Sequence, residues 1–144
     1  MGVLSIQVTA RAWRRGGQNL AKSEIKSIFT LAPPGGFAPT VRYPKKPWQA
    51  ATIILLADEI HAHEAAEEPT EQFAAAIQAQ LERAALWLAA QSAERIRAAR
   101  DQGVDVDVFA GMWIDDDQLD LTLPPSLLLE CGRLGLPITI CSND

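Results

Sequence analysis

The sequence predicts an α+β fold: one domain over residues 1–144 in which helices pack on one face of a largely antiparallel sheet, as a two-layer sandwich. Three observations predict it. Residues 3–13 alternate apolar and polar side chains, which is the period of a strand with one buried face. Residues 73–88 carry apolar side chains at helical spacing. Candidate strands stand in pairs between candidate helices, and this order favours antiparallel neighbours.

The first half of the chain is predicted to add one short helix and two strands. Asn19 or Ser23 can cap the helix, and three of its apolar side chains share a face: Ile25, Ile28 and Phe29. Residues 40–43 form a short strand candidate. Residues 50–57 contain a continuous apolar run, which is typical of a strand buried on both sides.

A long helical segment follows, with Thr70 as its predicted cap. Its apolar stripe must cover the sheet: Phe73, Ile77, Leu81, Ala84 and Leu88. The pattern resets near Gln91, and Ser92 can cap a second helix that stops at Gly103. The segment is therefore two helices or one bent helix.

The remaining residues predict a hairpin, a helix and a last strand. Residues 104–108 alternate as a strand, Asp115 to Asp117 make a turn, and Leu119 to Leu123 form the returning arm. Pro124 to Ser126 begin a helix, and Leu136 to Cys141 form the final strand. The predicted order is strand, helix, strand, strand, two helices, strand, strand, helix, strand.

The formal charge of −5 is unevenly distributed. Residues 1–50 hold eight basic residues and one acid, a net +7, whereas residues 51–144 hold five arginines and seventeen acids, a net −12. Residues 58–71 and 101–120 contain several acids but no Lys or Arg. Such acidic stretches are either solvated or contact a basic partner. The sequence has no apolar run near the ~20 residues that cross a bilayer and no secretory start, so we expect a cytoplasmic protein.

The acids of the predicted hairpin form the candidate partner-binding surface. They are Asp105, Asp107, Asp115, Asp116, Asp117 and Asp120. A calcium loop would also need a central Gly and a Glu twelve positions from its start, and neither is present. The predicted partner is therefore a basic protein, and no metal, cofactor or catalytic residue is assigned. The sequence also lacks phosphate-loop and nucleophile-elbow motifs.

An alternative function rests on four residues in the acidic linker: His61, His63, Glu64 and Glu67. On a helix, His63 and Glu67 would lie one turn apart and could bind a metal in an enzyme or a small-molecule-binding domain. The second His of the zinc-protease motif is missing, so a solvated loop is the competing interpretation.

Two segments interleave cations with aromatic rings: Trp13 to Arg15, and Arg42 to Trp48. This combination can hold phosphates while stacking bases, but the pI of about 5.0 argues against a nucleic-acid partner. We expect Trp13 and Trp48 to pack at a sheet edge. If the chain self-associates, the sheet edge near Trp48 would be the interface. The cations would meet solvent or the chain's own acids. Two cysteines near the end of the chain are expected to be buried, unpaired thiols: Cys131 and Cys141.

Three segments carry a family resemblance: Gly103 to Trp113 (GVDVDVFAGMW), Leu121 to Leu128 (LTLPPSLL) and Leu134 to Ile140 (LGLPITI). They resemble the bacterial domain-of-unknown-function family 4279, although Ala110 stands where that family often has Cys. The resemblance implies a small α+β domain without established enzyme activity, similar to immunity proteins encoded beside bacterial toxins. The leading hypothesis is a non-catalytic immunity protein that neutralises a basic toxin.

Overall fold

The computed structural model describes residues 3–17, 19–34, 37–61, 67–114 and 121–142. Within these ranges it is an α+β fold whose helices pack on a five-stranded sheet, which confirms the predicted class. The elements in chain order are β1 (Val3–Arg14), α1 (Lys22–Ile28), β2 (Thr40–Arg42), β3 (Ala51–His61), α2 (Glu67–Ala89), α3 (Ala93–Asp101), β4 (Val104–Ile114), α4 (Pro125–Leu134) and β5 (Ile138–Ser142).

The strands lie side by side in the order β2-β3-β1-β4-β5, so the first strand of the chain occupies the centre of the sheet. The pairings of β2 with β3, β3 with β1 and β1 with β4 are antiparallel, whereas β4 and β5 are parallel. A parallel neighbour needs a crossover connection, and α4 supplies it. The sheet is therefore largely antiparallel, as predicted.

The predicted hairpin after β4 is wrong in its returning arm. Residues 121–124, the described part of that arm, belong to neither strand nor helix. The strand beside β4 is instead β5, in which Ile138 pairs with Val108. The alternating leucines that suggested a strand, Leu121 and Leu123, pack partly buried against the core.

The two faces of the sheet differ. Side chains of β1 that point to the helices are almost completely buried: Ile6, Val8, Ala10 and Ala12, each exposed by 2% or less. The intervening residues define the second face of the sheet, which includes Gln7, Thr9, Arg11 and Trp13 of β1. Cross-strand partners share a face, so Asp107, which pairs with Arg11, lies on the second face too.

Helix α2 supplies the largest part of the apolar layer over the sheet. Its predicted stripe is buried at every position, with exposures between 0% and 6%: Phe73, Ile77, Leu81, Ala84 and Leu88. Burying each large side chain contributes about 1.5–3 kcal/mol. The helix begins at Glu67, so Thr70 lies inside it and the predicted cap is wrong.

The starts of the other helices follow ordinary capping chemistry. Ser92 caps α3 as predicted, because its Oγ accepts a hydrogen bond from the Arg95 amide at 3.2 Å. Helix α1 is preceded by Ala21 and not by the predicted Asn19 or Ser23 as cap. Its first turn is held by Glu24, whose carboxylate accepts a hydrogen bond from the Ala21 amide at 3.1 Å.

The end of α2 fastens the segment that follows α1. Gln91 is 3% exposed, and its Oε1 accepts a hydrogen bond from the Thr30 amide at 2.8 Å while its Nε2 donates to the Thr30 carbonyl at 3.0 Å. Trp87 donates from Nε1 to the Leu31 carbonyl at 3.1 Å and packs its ring on Phe29. Trp87 of α2 and Gln91 just beyond its end thus supply hydrogen-bond partners for the backbone of a non-helical segment.

Within the ranges that the structure describes, no helix combines the length and the apolarity that a membrane crossing requires.

Candidate functional site

The predicted partner-binding residue Asp107 forms an ion pair inside the protein. Arg11 of β1 donates from Nε to Oδ1 of Asp107 at 2.8 Å and from Nη2 to Oδ2 at 2.6 Å. The Asp107 side chain is 5% exposed, and the Arg11 guanidinium lies 4.2 Å from the centre of the Phe109 ring. A carboxylate held in this way is not presented to a partner.

Asp105 is also paired, although nearer the surface. Arg15 donates from Nη1 to Asp105 Oδ1 at 2.5 Å, and Arg14 pairs with Glu24. Arg11, Arg14 and Arg15 therefore all meet acids of the same chain. For Arg14 and Arg15 this is one of the two expected outcomes, the other being solvent. Two of the three pairs, Arg11–Asp107 and Arg15–Asp105, join the basic region of the sequence to the acidic one.

The other four acids of the candidate surface, Asp115, Asp116, Asp117 and Asp120, lie outside the described residues. The part of β4 that leads to them carries Trp113, whose side chain is 46% exposed. Trp113 pairs with Ser5 and so lies on the second face of the sheet. The assignment of these acids to a partner contact stays a prediction.

The histidine cluster is only partly covered by the structure. His61 is the last residue of β3 and Glu67 the first of α2, and only their backbone is described. His63 and Glu64 lie outside the described residues. Among the residues searched, no group of three or more His, Cys, Asp or Glu side chains could hold a metal ion.

A groove of about 660 Å³ lies on the second face, between β1 and the connection from β2 to β3. We call it the basic groove. Its lining includes three cations and no acid: Arg11, Arg42, Tyr43, Lys45, Gln49, Ala50 and Thr52. Residues 42–48 are recognisable in the sequence as a basic and aromatic segment, but the sequence does not show that Arg11 lies beside them in the fold.

The loop of the basic groove is held in one shape by Gln49. Its Oε1 accepts hydrogen bonds from the amides of Lys45 and Lys46 at 2.9 and 3.2 Å, and its own amide donates to the Lys46 carbonyl at 3.0 Å. Pro44 and Pro47 restrict φ on either side. The loop backbone is therefore fixed before any ligand arrives.

The two tryptophans do not pack at a sheet edge as expected. Trp13 belongs to the central strand β1, where the Arg11 guanidinium lies 5.5 Å from its ring centre. Trp48 is 73% exposed, and its ring is approached by the Lys46 ammonium at 5.3 Å. The expectation was wrong for Trp13 because the sequence does not show that β1 is the central strand of the sheet.

Both cysteines are free thiols. Cys131 is buried in the core, and this burial, followed in size by the nearby Glu130 charge, raises its pKa from 9.0 to about 11. Cys141 is only half-buried, so the expectation of burial is confirmed for one thiol of the two.

A scan against protein-family models, a search of curated proteins and a search of solved structures found no match to this chain. The resemblance to family 4279 therefore stays an expectation from the sequence.

Proposed function

We propose that this chain is a non-catalytic protein-binding protein of the bacterial cytoplasm, and more specifically an immunity protein that neutralises a basic toxin. The observation that carries the proposal is the position of exposed Trp113 two residues before the acidic run Asp115 to Asp117. Tryptophan is enriched among the residues that dominate binding energy in protein interfaces. Carboxylates around such an anchor select a cationic partner.

The internal ion pairs narrow the proposed contact surface. Asp105 and Asp107 are engaged by Arg15 and Arg11, so the contact is assigned to the acids that follow β4. This set comprises Asp115, Asp116, Asp117 and Asp120. The role of Asp107 in the proposal is to hold β4 against β1 through its ion pair with Arg11.

The excess of acids gives the proposal a kinetic signature. Complementary charge accelerates the encounter of two proteins, and dissolved salt screens this attraction over about 8 Å at physiological ionic strength. Association with the toxin should therefore slow as salt is added, while dissociation changes less. A complex held mainly by apolar contacts would associate at a rate that depends little on salt.

The experiment is co-expression with the product of the neighbouring gene, followed by measurement of growth and of binding by the purified proteins. The wild type should rescue growth, and the triple variant D115N/D116N/D117N should bind at least about tenfold more weakly. The matched control is E82Q/E94Q/D101N, which removes three exposed acids from the helical layer. Absence of a complex, or equal loss in both triple variants, would show the proposal to be wrong.

A further inference from the structure

We propose that the basic groove binds a small organic anion that carries a phosphate or pyrophosphate group. This site would be a second activity of the chain, because its lining is different from the acidic surface assigned to a protein partner. The inference therefore does not depend on the proposed function. Its basis is a preformed groove that gathers cations and excludes acids.

The charge of the groove comes mainly from two side chains. Arg42 and Lys45 are exposed, and within the described part of the chain neither has an ion-pair partner. An anion entering the groove would thus meet positive charge that no carboxylate of the lining offsets.

Arg11 adds little net charge to the groove because its guanidinium is paired with Asp107. Its guanidinium is fixed by the two hydrogen bonds to Asp107 and by the Phe109 ring. Because Nε and Nη2 already donate to Asp107, Arg11 adds a guanidinium of fixed position at the edge of the groove. Arg42 lies on β2, two strands away from Arg11, so an anion between them would be approached from both walls.

The loop that carries Lys45 is already ordered. Gln49 accepts hydrogen bonds from two amides of this loop, and Pro44 and Pro47 limit its freedom. Ordering a loop on binding costs affinity, so a preformed loop binds a given ligand more tightly. This feature distinguishes the basic groove from a surface that merely carries lysines.

The size and surroundings of the groove indicate a small ligand. Its volume of about 660 Å³ falls within the roughly 300–1,000 Å³ of small-molecule sites. A long polyanion is disfavoured because the rest of the chain carries a net negative charge.

The first test is titration calorimetry of the full chain with inorganic pyrophosphate. We expect binding of one equivalent that weakens with added salt and becomes at least about tenfold weaker in R42Q/K45Q. The control K26Q/R97Q removes two exposed cations from helices α1 and α3 and should bind within about twofold of the wild type. No saturable binding, or an equal loss in both variants, would overturn the proposal.

The second test identifies the source of the anion and does not need a variant. Pyrophosphate should shift the amide resonances of residues 42–52 in the wild-type protein, and ADP should shift the same residues and be displaced by pyrophosphate. Adenosine should leave them unchanged. Shifts confined to other parts of the chain, or binding of an oligothymidylate with no response to pyrophosphate or ADP, would refute a small-anion site.

Discussion

Arg11 and Asp107 are direct partners in the register of β1 and β4, and they face each other through two hydrogen bonds of 2.8 and 2.6 Å. They are 96 residues apart in the sequence, and the pairing of β1 with β4 brings them together within the sheet. The aromatic rings of Trp13 and Phe109 accompany the guanidinium. This pair joins the basic N-terminal segment to the acidic remainder of the chain.

Replacing Asp107 with Asn should lower the free energy of unfolding by about 2–3 kcal/mol, because a largely buried charged hydrogen-bond partner is removed from Arg11. The matched change D105N, at an ion pair whose side chains are 34% and 52% exposed, should cost less than about 1 kcal/mol. Urea unfolding of both variants provides the comparison. Equal losses in D107N and D105N would contradict this prediction, because they would show that the Arg11–Asp107 pair stabilises the fold no more than the exposed Arg15–Asp105 pair does.

The Gln91 side chain should be equally sensitive to substitution. Gln91→Leu removes the partner of both the amide and the carbonyl of Thr30, and we expect a loss of about 2–4 kcal/mol. Gln78→Leu, at a partly exposed position of α2, should change stability by no more than about 0.5 kcal/mol. Thermal unfolding measures both, and a Gln91 variant as stable as the Gln78 variant would contradict the assignment.

The cap of α3 gives a smaller effect. Ser92→Ala removes the acceptor of the Arg95 amide and should destabilise the protein by about 1 kcal/mol. Ser92→Gly should cost only a few tenths of a kcal/mol, since Gly is itself accepted at this position. Chemical denaturation measures the free energy of unfolding of both variants. A Gly variant less stable than the Ala variant would argue against a capping role for Ser92.

The two thiols should differ in reactivity. At pH 8 a maleimide or disulfide reagent should modify Cys141 first and Cys131 only on unfolding, because Cys131 is buried and its pKa is raised to about 11. The variant C141S should therefore lose the rapid phase. Mass spectrometry of the labelled peptides identifies the site, and rapid labelling of Cys131 would show that its burial is not maintained.

The raised pKa of Cys131 also predicts a dependence of stability on pH. The folded protein holds the Cys131 proton up to about pH 11, whereas the unfolded chain releases it near pH 9. The free energy of unfolding should therefore fall as pH rises between these values. In Cys131→Ala the fall should be shallower. Equal slopes for the wild type and the variant would show that Cys131 does not contribute.

Local patterns predicted most of the elements, but not the contacts between distant parts of the chain. The alternation in β1 and the stripe of α2 depend on neighbouring residues, so they were readable from sequence. The pairing of Asp107 with Arg11 depends on which strands are neighbours, and this is decided by the packing of the whole sheet. The arginines of β1 and the aspartates at alternate positions of β4 were visible, but their register was not.

The candidate acidic surface was predicted from the concentration of acids along the predicted hairpin, without knowledge of what each acid contacts. Counting acids cannot distinguish Asp105 and Asp107, which neutralise arginines, from carboxylates that meet solvent. The basic groove was missed for a related reason. Its cations come from β1, from β2 and from the following loop, and only the order of the strands brings them together.

The central position of β1 has a consequence for biosynthesis. The ribosome delivers this strand first, but its two neighbours emerge only after residues 51 and 104 have been translated. During that interval one edge of β1 lacks the hydrogen bonds that β4 later supplies, and such an edge can pair with another nascent chain. Truncation before residue 104 should accordingly leave a product with one edge of β1 unpaired, and this product should aggregate.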